Sequence, residues 1–480
     1  AVIGASRQRI LQRASTAAAR AGMHDRAIEL ARRSLAITGD DELAELVRSR
    51  LRWYLWEAGR SDEALDEARR AVSRTYPTGS ERWQANATAH LAGLLLVHDE
   101  IEDAREHAET ALRLAQAAGA TEEEVLANGI IGGCLLLEGD VDAGIGRIDQ
   151  ALEAARRIEE EDARLPADRL DDRRFPVGVV LASTQLAGAY EVADRPDDAI
   201  RIAEAGYLRA AEQGVARTYG ATLRATTARA MYRAGSWSQA LATIEAALRE
   251  GASGSGRVSL LAISALIHAA RGAALEADEA IRLAEEDVDL TAADVIHWLA
   301  AARAERLLWA GQPLEAATGI AGAEAAGSEA ARRAGLGQAV GLDASVPQLL
   351  TLAARAGADL ALVERAGGVE PAVSAMVIER VRSAIERAHR RPGLATSWAP
   401  DLALAEAELG RAEQGTGGQT IDAWARAAEA APGRPYGEAY ARWRLASALL
   451  TDRRRTREAT AELERAEALA QALEAEPLRE

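Results

Sequence analysis

Lysine is missing from this 480-residue chain, so every one of its 57 strongly basic side chains is an arginine. That excludes a Schiff-base lysine and a phosphate-binding loop of the Gly-Lys-Ser/Thr type. Cysteine occurs once, at Cys134, which excludes an internal disulfide and fits a reducing, cytoplasmic setting. Phenylalanine also occurs once, at Phe175, and aromatic residues make up 4% of the chain. β-Branched residues are sparse beside alanine and leucine, so essentially no sheet is expected. No apolar run reaches membrane-spanning length and no signal peptide is present. The opening AVIGASRQR lacks an initiator Met, and Met23 falls inside a helical pattern. The chain therefore reads as a segment of a longer protein. A net charge of −17, with acidic residues interspersed among the arginines, argues against direct binding of nucleic acid.

What the chain does contain is a repeat. A small residue recurs at Ala27, Ala64, Ala104, Gly144, Ala199, Ala240, Ala277 and Ala316, at spacings of 37, 40, 40, 55, 41, 37 and 39. Five residues before these anchors stand Gly22, Gly59, Asp99, Gly139, Asp194, Gly235, Gly272 and Gly311. Seven residues after them stand Ser34, Ala71, Ala111, Ala151, Gly206, Ala247, Ala284 and Ala323. Twelve before them, seven of eight positions are again small: Ser15, Ala92, Gly132, Ala187, Ala228, Ala265 and Ala304, with Arg52 the exception. Glycine and, less readily, aspartate take the left-handed conformation that ends a helix. Small residues on both sides of that turn let two antiparallel helices approach closely. The columns predict eight αα-hairpins.

The 55-residue interval predicts an inserted loop over 159–178, with Phe175 as a possible docking tip or simply part of a solvated loop. GASGSG (251–256) is expected to connect two helices. GLGQAVGLDASVPQ (335–348) reads as a joint, dividing an array at 1–334 from a second helical sub-array at 349–480. Helices are expected over 349–366 and 372–390, with three or four more in 396–480, giving eleven or twelve helix pairs in all.

The turn glycine and the small second-helix positions resemble the tetratricopeptide repeat, although the closing proline is absent and the period is nearer 40 than 34. The resemblance implies an all-α tetratricopeptide-like superhelix, or solenoid, with a concave groove. The stretches RWYLWEAGRSDEAL, GVARTYGATLRATTARAMYRAGSWSQAL (214–241) and DAWARAAEAAPGRPYGEAYARWRLASALL (422–450), with ATAELERAEALAQALEAEPLRE after it, resemble the helical region of large ATP-binding LuxR-type regulators of the STAND class. Those proteins join a nucleotide-binding module to a helical array and a helix-turn-helix. Neither module lies within these residues. The resemblance implies a sensing region that binds an inducer or partner protein and controls modules at either end. A stand-alone scaffold assembling partner proteins is the alternative.

No catalytic constellation stands out. The seven histidines form neither HExxH nor a Cys/His cluster, and His90 and His98 are too far apart to share a metal. Cys134 sits mid-helix and reads as a buried, inert thiol. GASGSG is not a nucleophile elbow, and GLGQAVG fails the dinucleotide-loop spacing. The expectation is no enzyme, no cofactor and no metal.

Binding is the remaining chemistry. By the tetratricopeptide resemblance, groove positions lie 18, 15, 11 and 8 residues before each anchor. They give Trp53 and Trp56, then Asn86, Ala89, Gly93 and Leu96, then Leu126, Gly129, Gly133 and Leu136. Thr184, Gly188 and Glu191 follow, then Thr222, Arg229 and Tyr232, and finally Trp298, Glu305 and Leu308. Trp53, Trp56, Asn86, Gly129, Gly133, Thr184, Gly188, Arg229, Tyr232 and Trp298 are the candidate contacts for a small-molecule inducer, a peptide or a protein. The mid-helix glycines Gly129, Gly133 and Gly188 each cost about 1 kcal/mol relative to alanine. Either close backbone packing or room for a ligand has to offset that.

Overall fold

A computed structural model describes residues 7–37, 42–58, 60–74, 81–97, 100–164, 178–286, 293–333, 347–368, 372–390, 392–414, 418–451 and 455–479. All regular structure among them is helical. The first array consists of eight antiparallel pairs: α1 (Arg7–Arg20) with α2 (His24–Leu35), α3 (Glu42–Glu57) with α4 (Ser61–Val72), α5 (Glu81–Val97) with α6 (Ile101–Ala118), and α7 (Thr121–Glu138) with α8 (Val141–Ala163). It continues with α9 (Gly178–Val192) and α10 (Pro196–Glu212), α11 (Ala221–Arg233) and α12 (Trp237–Arg249), α13 (Gly254–Ala270) and α14 (Ala274–Glu285), and α15 (Ala293–Trp309) and α16 (Pro313–Arg333). A π-helical turn, Ala216–Gly220, leads into α11. Beyond these lie α17 (Pro347–Ala366), α18 (Ala372–His389), the short α19 (Pro392–Ser397), α20 (Ala399–Gln414), α21 (Gly418–Ala430), α22 (Pro435–Leu449) and α23 (Thr456–Leu473). The fold is an all-α superhelix of tetratricopeptide-like helix hairpins.

The repeat columns have a direct structural meaning. In each of the eight pairs the residue after the turn position donates its N–H to the carbonyl five residues back. The donors are Met23, Arg60, Glu100, Asp140, Arg195, Ser236, Ala273 and Gln312, at 2.8–3.1 Å. This bond closes a helix whose last residue is left-handed. Gly22, Gly139, Gly235, Gly272 and Gly311 have φ between +71° and +96°, and Asp194 has φ +54°. Gly59 and Asp99 lie outside the described residues. The anchors behind the turns are buried without exception. The Gly132–Gly144 crossing in the fourth pair is close: a Cβ on Gly132 would fall 2.8 Å from the Gly144 carbonyl oxygen and 2.5 Å from Ile148.

Two expectations need correction. GSG (254–256) is the first turn of α13 rather than linker, because Gly256 must lie on the start of α11; a Cβ there would meet the Thr222 backbone nitrogen at 2.7 Å. The segment predicted as a loop from residue 159 is helical as far as Ala163, where Ile158 and Asp162 are still buried. Residues 165–177, including Phe175, lie outside the described set, as do 334–346 of the expected joint.

The C-terminal helices fold back on the first array. One continuous apolar core runs from Ala221 to Leu478. Pro435 at the start of α22 presses on Gly235, the turn glycine of the sixth pair, and Pro477 on Gly272, that of the seventh. Trp237 stacks on Tyr232 and meets Tyr436 with ring centroids 5.3 Å apart. Glu408 is fully buried, bonded by Arg411 and Tyr440, and Arg355 lies over the rings of Trp309 and Tyr440. These ionic and aromatic contacts fix α17, α20 and α22 together. At the other end, the Trp53 indole N–H donates to the Tyr219 hydroxyl at 3.2 Å, linking α3 of the second pair to the π-helical turn that leads into α11.

Candidate functional site

The inner face of the array closes into two adjoining cavities. The larger has a volume of about 350 Å³. Its array wall comes from the second halves of α5, α7 and α9, with Leu96, Gly133, Leu136, Leu137, Gly188, Glu191 and Val192, and from Arg229, Arg233 and Trp298. The opposite wall is Pro347, Ser397, Trp398 and Arg434 from the C-terminal helices. The smaller, about 90 Å³, lies among Tyr232, Glu305, Arg355, Asp401, Tyr436 and Tyr440. Arg233 and Arg434 line both.

The mid-helix glycines differ in what surrounds them. A Cβ on Gly188 would meet nothing within 4 Å, so that position opens onto the cavity. A Cβ on Gly133 would crowd Leu96 at 2.8 Å. Gly129 is a packing glycine: Gln185 of α9 would lie 2.5 Å from its Cβ.

The charged lining is mostly paired. Glu191 takes Arg229 through both oxygens, at 3.1 and 2.7 Å, and Arg229 also donates to Thr226. Arg434 reaches Asp401 with one terminal nitrogen and Asp194 with the other, the latter at 2.8 Å. The guanidinium carbons of Arg229 and Arg233 stand 6.0 and 5.9 Å from the centre of the Trp298 ring, within cation–π range. Burial pushes the Arg233 pKa down, and the positive charge of Arg434 adds to the effect. Tyr232 and Tyr436 are both held well above the ordinary phenol range, mainly by burial and then by the Glu305 charge. They remain neutral hydrogen-bonding groups; Tyr436 donates to Glu305, and Tyr232 accepts from Gln348.

Of the ten residues expected from the sequence, the structure gathers Gly133, Gly188, Arg229 and Trp298 on the larger cavity and places Tyr232 on the smaller. Asn86, Gly129, Thr184 and Trp53 lie elsewhere. Asn86 accepts from Arg52 and donates to Glu123, bridging α3, α5 and α7. Thr184 bonds back to the Val180 carbonyl of its own helix. Trp53 is committed to Tyr219. The Trp56 side chain lies outside the described set. Tyr54 is buried and meets Thr16 of the first pair at 3.3 Å. The sequence reading missed Arg233, Trp398 and Arg434. Arg233 lies one turn beyond Arg229, so helical spacing alone could have flagged it.

Cys134 is buried, with its thiol pushed up to about 11 by burial and the Glu138 charge. Among the described residues no group of three or more His, Cys, Asp or Glu could hold a metal, and no helix is long and apolar enough to cross a membrane. The arrangement offers an apolar, aromatic-walled chamber with a few fixed cations, which suits binding.

No family model and no curated protein matches the chain. Solved structures similar to it include the apo form of the quorum sensor NprR from B. thuringiensis, at 12% identity, covering 88% of this chain and 97% of that one, with a TM-score of 0.42. A Rap protein complexed with competence and sporulation factor is 14% identical, covering 68% and 98%, TM-score 0.38. Yeast Tom70 is 13% identical, covering 98% and 93%, TM-score 0.34.

Proposed function

We propose that residues 1–480 form the sensing and protein-interaction region of a transcriptional regulator. A ligand or partner in the groove would set the arrangement of the 1–334 array against the 349–480 sub-array, with 335–348 as the joint. The observation that carries this reading is the two-sided wall of the larger cavity: Gly188 and Trp298 belong to one part, Trp398 and Arg434 to the other. A ligand touching both walls favours the closed arrangement by its extra contacts, and only such differential affinity can shift an equilibrium. The phrases resembling LuxR-type regulators support the regulatory setting. Nucleotide hydrolysis and DNA binding would then belong to flanking modules, and this region would act in the cytoplasm without chemistry of its own.

The test combines thermal-shift screening against metabolites and peptides with one cavity-filling variant. A Cβ at Gly188 meets nothing within 4 Å, so Gly188→Leu starts into open space and is expected to fold and to abolish the shift. A ligand that stabilises wild type and Gly188→Leu equally would place the site elsewhere. The regulatory setting is tested separately. Coding sequence for a nucleotide-binding module before residue 1 and a helix-turn-helix after residue 480 supports it; sequence-specific DNA binding by residues 1–480 themselves would overturn it. Flanking sequence with neither module favours the stand-alone scaffold.

A further inference from the structure

Arg355 of α17 is 5% exposed and lines the smaller cavity, yet it donates a hydrogen bond to none of the described residues. Its carboxylate neighbours are Glu305, 3.6 Å from Nη1, and Asp359, 3.9 Å from Nε. Those separations neutralise charge but exceed hydrogen-bonding length. The guanidinium carbon stands 4.1 Å from the centre of the Trp309 ring and 5.1 Å from that of Tyr440. Stacking occupies the flat face of a guanidinium and leaves its in-plane N–H groups for an acceptor. The Nε is shielded from solvent; Nη1 and Nη2 are not. A buried donor without an acceptor is costly.

Glu305 shares this cavity and is 2% exposed. Its Oε1 accepts from Trp309 and Tyr436, while no described residue bonds its Oε2, which is not shielded from solvent either. The wall thus sets unused donors next to an unused acceptor.

Charge is already balanced here. Arg355 faces Glu305 and Asp359, Asp401 is paired with Arg434, and Arg233 is acted on by both Glu191 and Asp401. No surplus charge selects an ionic ligand. A neutral primary amide presents a carbonyl oxygen and N–H donors side by side. A trans peptide bond points the two in opposite directions, so a main-chain amide does not match. The cavity, about 90 Å³, is well below the roughly 150 Å³ that takes a benzene ring, which limits the group inside it to a short chain. Leu352, Pro400 and Leu404 give that chain an apolar wall.

We propose that the smaller cavity binds a neutral carboxamide, its oxygen on the terminal N–H groups of Arg355 and its N–H on Oε2 of Glu305. This is a second site, apart from the larger cavity on which the sensing function rests. Two sources share the chemistry: a free small amide, and the side chain of a glutamine in a peptide.

The experiment is a ligand-observed NMR titration of the whole chain. Butyramide is compared with butyrate and methyl propyl ketone, and end-capped Leu-Gln-Leu with end-capped Leu-Glu-Leu. At least one amide is expected to bind at least tenfold more tightly than its controls, and the arm that does so identifies the source. If neither does, water serves Arg355 and the proposal is overturned. Glu305→Gln, with its oxygen kept on Trp309 and Tyr436, turns an N–H toward the cavity and removes a negative charge. The carboxylate control should then overtake the amide; an amide preference that survives would overturn the proposal. If Glu305→Gln does not fold, the comparison on the wild-type chain still decides. Gly188→Leu separates the two cavities: butyramide binding that it abolishes would place the amide in the larger chamber, overturning this assignment and leaving the groove standing.

Discussion

Asp194 and Arg434 meet at 2.8 Å across 240 positions of sequence. Asp194 ends α9 in the left-handed conformation, with φ +54°, where most repeats use glycine. Its carboxylate is what glycine could not supply: a contact from an array turn to the residue that precedes α22. Asp194→Ala should lose both the contact and the short polar side chain that tolerates this backbone, whereas Asp194→Gly loses only the contact. The left-handed conformation costs an ordinary residue about 1–2 kcal/mol. Chemical denaturation should therefore find Asp194→Gly more stable than Asp194→Ala by about 1 kcal/mol. Equal stabilities would mean that the turn conformation does not govern this position.

Arg434 itself carries more. Its guanidinium and the Asp401 carboxylate are almost wholly shielded from solvent, 13% and 12% exposed. Replacing Arg434 by Met leaves Asp401 buried without its cation, a loss of about 3–5 kcal/mol for pairs of this kind. Denaturation midpoints should drop accordingly, with the C-terminal helices released first in hydrogen exchange. A loss below about 1 kcal/mol would place the pair among surface bridges of little consequence.

The glycines divide into two classes with opposite responses to alanine. Gly132→Ala forces a methyl group against the Gly144 carbonyl and Ile148, and overpacking of this sort costs about 1–3 kcal/mol. Gly188→Ala meets nothing and should stabilise α9 by up to about 1 kcal/mol. Melting temperatures of the two variants should move in opposite directions.

Cys134 offers a probe of unfolding. With no exposed surface and its thiol pushed up to about 11, it should resist alkylation at pH 8 in the folded chain and react at once in denaturant. Rapid labelling under native conditions would contradict the buried position on α7.

His90 gives a pH dependence of known sign. Burial, reinforced by Arg52, holds its imidazole down to about 3. His24 and His268 are lowered too, chiefly by burial. The native chain keeps these rings neutral while the unfolded chain protonates them near pH 6.5, so stability should fall as pH drops below that value. For His90 the loss continues to about pH 3. His90→Gln should flatten the decline between pH 6.5 and 5; an unchanged slope would remove His90 as a cause.

The array was legible because its constraints recur. A left-handed turn and a close helix crossing leave the same residue types at the same offsets in every hairpin. The groove was half legible, for a geometric reason. Positions 11 and 8 before the anchor gave Gly133, Gly188 and Arg229, with Leu96, Leu136 and Glu191 beside them, because the second half of each of these first helices faces the interior. In the first half, Asn86 is taken up by Glu123 of the next first helix and Gly129 by Gln185 of the next, so these two serve packing between neighbours, while Trp298, at the same offset as Asn86, does reach the cavity. The far wall was illegible: Trp398 and Arg434 belong to helices outside the repeat register, and nothing local in their sequence says which turn they meet.

The central claim is that one ligand bridges the two walls of the larger cavity. Hydrogen exchange of the chain with and without the first ligand to shift its melting temperature tests it most directly. The account predicts that protection rises together in the second halves of α7 and α9, in α11, and around Trp398 and Arg434. Protection confined to one wall, with the other unchanged, would contradict it.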